Sequence, residues 1–308
     1  MKKEVMVLSV ILLTLVLPYA SASIFDWFKS ARTSPSQPTD VSVTVGNSVP
    51  TIVSVSQVTR GPSVGQVELV ESSVANVFFN FTVQDNNGAG DIDDTTAKAR
   101  FTNASEPNRD STSCVPFLVA GNPNQKIYQC TVPMQYYDKH SSWRVNVSVK
   151  DKATPAGYAT DLTRSFTVIA LRAFVMDVSA VSFSGLAPGS TNNLATANTS
   201  LNNTGNYIIP ADGPIRIISV NLTGLTDASQ YIPADNFRVV GSSAAATVCT
   251  AGTILDDASL GGVAVANFNL GRGITGNTDK LVYCLTSVPL VSSQTYTTGA
   301  QGWLITEQ

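Results

Sequence analysis

Charge is scarce in this 308-residue chain. Lys and Arg number 19 and Asp and Glu 22, so charged residues make up 13%, against roughly 25% in an average soluble protein. The basic residues form no cluster and the net charge is -3. Binding to a phosphate backbone needs clustered Lys and Arg, so nucleic acid is excluded as a partner. Histidine occurs once, at His140 in the polar stretch Asp138-Lys139-His140-Ser141-Ser142. A Ser-His-Asp or Cys-His centre would have no other imidazole to draw on, and no G-x-S-x-G elbow accompanies it. His140 therefore reads as a solvated loop residue. The four cysteines contain no C-x-x-C pair, which with a single histidine excludes a structural zinc site. Amphipathic helical periodicity is missing beyond the first 22 residues, so no helix opens on a phosphate-cradling glycine loop. The chain reads as a non-enzyme.

Long apolar runs are also missing, with one exception at the start. Met1 to Ala22, MKKEVMVLSVILLTLVLPYASA, has two lysines, an apolar run from Val5 to Leu17, a helix-breaking Pro18 and the small-x-small triplet Ala20-Ser21-Ala22. That is the layout of a secretory signal peptide with cleavage before Ser23. An uncleaved anchor is the competing reading, but the run is shorter than the ~20 residues of a bilayer span. Contact with a membrane is expected only through this segment, if it stays attached. Residues 23–40, rich in Ser and Pro, form a tether. The expected location is secreted, in the extracellular space or on a cell surface, where a surface built from Ser, Thr and Asn is at home.

In an exported chain an even cysteine count reads as disulfides. Cys114 and Cys130 flank the turn Gly121-Asn122-Pro123-Asn124 almost symmetrically, as facing hairpin residues would. Pairing Cys114 with Cys130 and Cys249 with Cys284 keeps each bridge in its own half. Between the turns the pattern is alternation with period two. Val77, Phe79, Phe81 and Val83 share one parity, as do Ala97, Ala99 and Phe101, and Trp143, Val145, Val147 and Val149. These read as half-buried strands. Further strands are expected at 215–222, 237–240, 263–270, 281–286 and 302–306. Short strands at regular spacing with Gly, Pro and Asn turns indicate an all-β chain built as sandwiches. We expect two tandem domains, 41–170 and 171–308, without an internal repeat.

Six Asn-x-Ser/Thr sequons occur, at Asn80, Asn103, Asn146, Asn198, Asn202 and Asn221. Asn80, Asn146 and Asn221 fall on the polar parity of a strand, where a glycan would point to solvent; ordinary polar strand residues account for them equally well. Tyr128, Tyr136, Tyr137 and Trp143 invite a sugar-binding reading, although Trp143 continues the apolar parity of its strand and core packing explains it better.

The stretch Phe183-Ser184-Gly185-Leu186-Ala187-Pro188-Gly189-Ser190, then Asn203-Thr204-Gly205-Asn206 and the late Thr295-Tyr296-Thr297-Thr298-Gly299, is similar to a pattern in Ig-like β-sandwich domains of prokaryotic, especially archaeal, cell-surface proteins. Val83-Gln84-Asp85 followed by Asn87 to Ile92 resembles a second Ig-like pattern, in which a strand ending in V-x-D runs into N-G-A-G-D-I. The resemblance implies a surface-layer, fibre or matrix protein, structural or adhesive, whose partners are other cell-surface proteins or copies of itself. It supplies no catalytic residues. The alternative is an extracellular module that binds polysaccharide or a host surface.

Residues 85–94, DNNGAGDIDD, concentrate Asp85, Asp91, Asp93 and Asp94 in ten residues. The EF-hand template fails, because Ala89 stands at its fifth position and Thr96 at its twelfth. In an Ig-like sandwich the loops after the second and sixth strands share one end, which would bring Asp151 beside Asp85. Calcium held by these five aspartates and a glycine-permitted turn are the two readings of the loop; no other cofactor is implied.

Overall fold

The strict alternation that marks the first half as β also builds its core. In the computed structural model, which describes residues 40–119, 121–177 and 180–307, the strands of this half are β1 (Thr51–Val55), β2 (Gln66–Val67), β3 (Val74–Gln84), β4 (Ile92–Thr102), β5 (Arg109–Asp110), β6 (Ser113–Val119), β7 (Gln125–Gln135), β8 (Ser142–Asp151), β9 (Tyr158–Asp161) and β10 (Ser165–Val168). Along β3 every second side chain is buried, from Ala75 to Val83. Along β8 the buried set is Trp143, Val145, Val147, Val149 and Asp151. One sheet has the order β1-β3-β7-β6; the other runs β2-β10-β8-β4-β5, with β9 also on β8. Their inner faces share a single core, in which Phe79 meets Phe101 at 5.6 Å and Phe101 meets Phe166 edge-on at 4.6 Å between ring centroids. Burying a Phe or Trp in this way contributes about 2–3 kcal/mol each.

The second half is more broken. Its strands are β11 (Phe174–Met176), β12 (Thr191–Leu194), β13 (Thr199–Asn203), β14 (Ile215–Ile218), β15 (Leu222–Gly224), β16 (Tyr231–Ile232), β17 (Phe237–Gly241), β18 (Thr253–Ile254), β19 (Val263–Ala264), β20 (Thr278–Ser287), β21 (Tyr296–Thr297) and β22 (Leu304–Glu307), with a helical turn, α1 (Val248–Ala251), after β17. The main sheet is β11-β13-β20-β17-β18, with β12 beside β13 on the same side of β20. Two short sheets, β19-β14-β22 and β16-β15-β21, complete the half. A second core gathers Leu201, Ile215, Ile217, Phe237, Phe268, Leu281 and Tyr283. The fold is all-β, in keeping with the alternating pattern.

Both expected disulfides are present, Cys114–Cys130 and Cys249–Cys284. Cys114 and Cys130 sit directly opposite each other on β6 and β7, and Cys284 anchors α1 to β20. No described helix is long and apolar enough to cross a membrane. The expected signal peptide, 1–22, and all of the expected tether, 23–40, except Asp40 lie outside the described residues. Asp40 to Gly46 are irregular and exposed.

The stretch Asn47–Gln308 packs as one unit holding both cores. The two halves meet through the turn Asn203-Asn206. Asn206 is fully buried; its Nδ2 donates to the carbonyls of Asp138 (3.0 Å) and Ile169 (3.1 Å), and its Oδ1 accepts from Leu171 N–H (2.7 Å). Thr204 Oγ1 donates to Glu71, and Arg272 pairs with Glu106 and donates to the Tyr137 carbonyl at 2.7 Å. Gly205 is required here, since a Cβ would stand 2.0 Å from the Leu171 carbonyl oxygen.

Candidate metal centre

β3 and β8 deliver their last residues, Asp85 just past β3 and Asp151 at the end of β8, to the same end of the first half. The chain between β3 and β4 turns through a short 3-10 segment, Ala89–Asp91, opened by Gly88 at φ 111°. Ile92 then pairs opposite Asp151, and the Asp91 carbonyl accepts Lys152 N–H at 2.8 Å. The result is a group of three carboxylates, Asp85, Asp91 and Asp151, each offering an oxygen within 4.8 Å of the others.

Asp85 and Asp151 are both buried, and their surroundings differ. Asp85 Oδ1 accepts Asn87 N–H at 2.8 Å, whereas its Oδ2 is buried without a partner. Burial pushes this carboxyl above its ordinary value; the Asn87 bond opposes that rise and the charges on Asp91 and Asp151 add to it. Asp151 also suffers desolvation. Hydrogen bonds from Asn47 Nδ2 (2.8 Å), Gly157 N–H (2.6 Å) and Ala153 N–H (3.2 Å) outweigh it and hold the carboxyl below its ordinary value. Gly157 can approach because it lacks a side chain: a Cβ there would lie 2.5 Å from Asp151 Oδ2 and 3.0 Å from the Pro50 ring.

Asp93 and Asp94, which the sequence places in the same cluster, are engaged elsewhere. Asp93 Oδ1 accepts Thr95 N–H and its hydroxyl at the point where the β4–β8 register shifts. Asp94 accepts Lys126 Nζ (2.8 Å) and the Tyr128 hydroxyl. Desolvation raises the Asp94 carboxyl, but those two bonds prevail and leave it below its usual range. The reciprocal effect, added to burial, pushes the Tyr128 hydroxyl far up. Sequence reasoning missed Asn47 and Ser48. Asn47 reaches Asp151 across 104 residues, and Ser48 N–H donates to Asn87 Oδ1 at 2.6 Å. Both precede β1, in a stretch without apolar periodicity, so no local signal marked them.

The other candidate residues are dispersed. Tyr128 and Trp143 are fully buried, and Trp143 Nε1 donates to the Lys139 carbonyl at 2.9 Å; Tyr136 and Tyr137 pack edge-on against each other. His140 is not a solvated loop residue. Its ring stacks on Tyr207, its Nδ1 lies 3.1 Å from the Asn206 carbonyl and its Nε2 3.4 Å from Asp212 Oδ1. Such partners lie more than 60 residues away in sequence, beyond what a polar local stretch can disclose. Of the sequons, Asn202 is exposed and the other five are partly buried. Asn103 Nδ2 donates to Ser141 and Ser142, and Asn221 Nδ2 donates to Asp257; Asn80 Oδ1 and Asn198 Oδ1 are buried without partners. The second core opens into a groove of about 600 Å³ lined by Phe183, Leu222, Phe237 and Tyr296. No protein-family model matches the chain, and no curated protein matches it significantly.

Proposed function

We propose that the chain is an exported, non-catalytic structural or adhesive element of a cell surface, of the Ig-like kind found in archaeal surface layers, fibres or matrices. The observation that carries this reading is the stretch before β1. Val41, Val43 and Val45 are 83%, 81% and 82% exposed, alternate with polar residues and belong to no strand. An alternating apolar segment without a sheet is suited to adding as a strand to a neighbour. An acceptor is available in β6, one of the two edge strands of its sheet, which exposes Val115 and Phe117. Copies of the chain, or other surface proteins with a comparable segment, are the partners this implies.

Deleting residues 23–45 tests the reading by light scattering and electron microscopy of the purified protein. The full mature chain is expected to form oligomers or filaments that the deletion abolishes. Equal particle size in both preparations would sink it. The second reading, a module that binds polysaccharide or a host surface, draws on the aromatic groove of the second half. It predicts glycan retention that survives the same deletion and is lost on Tyr296→Ala.

A further inference from the structure

We propose that Asp85, Asp91 and Asp151 hold a single calcium ion, which locks the loop between β3 and β4 to the start of the sandwich at Asn47 and Ser48. The inference is independent of whether the chain assembles with copies of itself.

Three carboxylates converge, and no cation among the described residues answers them. Five ion pairs occur among the described residues, and none includes Asp85, Asp91 or Asp151. Lys152, next to Asp151 in sequence, sends its ammonium to the Gly90 carbonyl instead (2.7 Å). A second observation points the same way. Asp85 is fully buried, and its Oδ2 has no hydrogen-bond partner. A buried carboxylate oxygen left bare is costly, and natural proteins pair such groups or place them on metals.

The donors define the ion. All three side chains offer oxygen, with neither imidazole nor thiolate among them, which selects a hard cation over zinc or copper. Two ligands of one ion can be no further apart than twice the bond length. For calcium, at 2.3–2.6 Å, that limit is about 5 Å, and the three oxygens fall within 4.8 Å of one another. Magnesium demands a regular octahedron with shorter bonds and keeps most of its water. An irregular apex assembled from two strand ends and a turn suits calcium better.

Asp151 shows how the site would be held ready. Asn47, Gly157 and Ala153 all donate to its carboxylate, which fixes its orientation and favours the ionised form. Because Asn47 binds Asp151 while Ser48 binds Asn87, an ion joining Asp85, Asp91 and Asp151 also closes the ring of contacts around residues 47–48.

The test is a calcium titration of the full chain after chelator treatment, followed by calorimetry and by thermal unfolding. The expected result is one site per chain, with a melting temperature several degrees higher in calcium than in chelator. Asp91 makes no side-chain hydrogen bond among the described residues, so Asp91→Asn should bind about tenfold or more weakly, while Asp93→Asn should bind within about twofold of the parent. Asp85→Asn in chelator should melt higher than the parent, because a repelling buried charge is gone. Absence of heat and of any shift in the parent at about millimolar calcium overturns the site, that being the weak end of calcium affinities for extracellular modules. Equal loss in Asp91→Asn and Asp93→Asn overturns the ligand assignment, and stabilisation by magnesium alone overturns the choice of ion.

Discussion

Replacing Asn206 by alanine should uncouple the two halves. The side chain makes three hydrogen bonds, at 3.0, 3.1 and 2.7 Å, to Asp138, Ile169 and Leu171. The carbonyl of Asp138 is the most deeply enclosed of the three partners. Leaving it bare costs about 2 kcal/mol, and the two groups nearer the surface, which water can reach, cost about 1 kcal/mol each. The expected loss is about 4 kcal/mol, which is large for a single substitution. Trp143 lies in the first core and Trp303 packs against the second, so each serves as a local reporter. In versions retaining only one of these tryptophans, urea unfolding of the parent should show coincident transitions. In Asn206→Ala the Trp303 signal should move to lower urea, separating from that of Trp143. A loss under about 1 kcal/mol with coincident transitions would refute the view that this side chain couples the halves.

Asp138 is fully buried, and Arg109 grips it through Nε at 3.0 Å to each oxygen and through Nη2 at 2.5 Å. Arg109→Met should therefore cost about 3–5 kcal/mol by chemical denaturation, whereas Arg109→Met with Asp138→Leu should recover much of that, since the orphaned charge is then removed. Burial pushes the Glu307 carboxyl up to about 7, with Arg172 pulling partly against it. A raised carboxyl means that the folded state binds the proton more tightly. Its contribution is full below the ordinary carboxyl range and is lost as the pH climbs toward 7, by at most about 3 kcal/mol. A stability-versus-pH curve should flatten over that window in Glu307→Gln, and an unchanged slope would contradict the assignment.

What could be read in advance follows from how many faces of each strand are buried. In β3, β4 and β8 one face packs and the other meets solvent, so period two survives in the sequence and these strands lay close to their expected positions, each longer by a few residues. The stretch 263–270, rich in apolar residues, also reads as a strand, yet only Val263 and Ala264 pair as one. Asn267 sits at φ 54°, a left-handed turn that ends the ladder, and the Ala266 carbonyl goes instead to Gly241 N–H. The run 215–222 is likewise interrupted, at Ser219, whose buried hydroxyl donates to the Asp256 carbonyl. At the apex, the proximity of Asp85 and Asp151 could be anticipated because both terminate recognisable strands. The diversion of Asp94 could not, because it depends on Lys126 and Tyr128 of the opposing sheet. Alternation tells which face a residue takes; it carries no information about partners brought in by topology.

The turn Asn203-Thr204-Gly205-Asn206 also sets an order of events. Asn206 satisfies its amide on Asp138 and Ile169, and its own N–H binds the Leu171 carbonyl. Those acceptors take up their positions only when β7, β8 and β10 have closed the first core. A chain synthesised amino-terminus first presents every strand of that core before Asn206. The finished half then acts as a template on which the shorter, less regular strands of the second half condense, with the local entropy of the turn already spent.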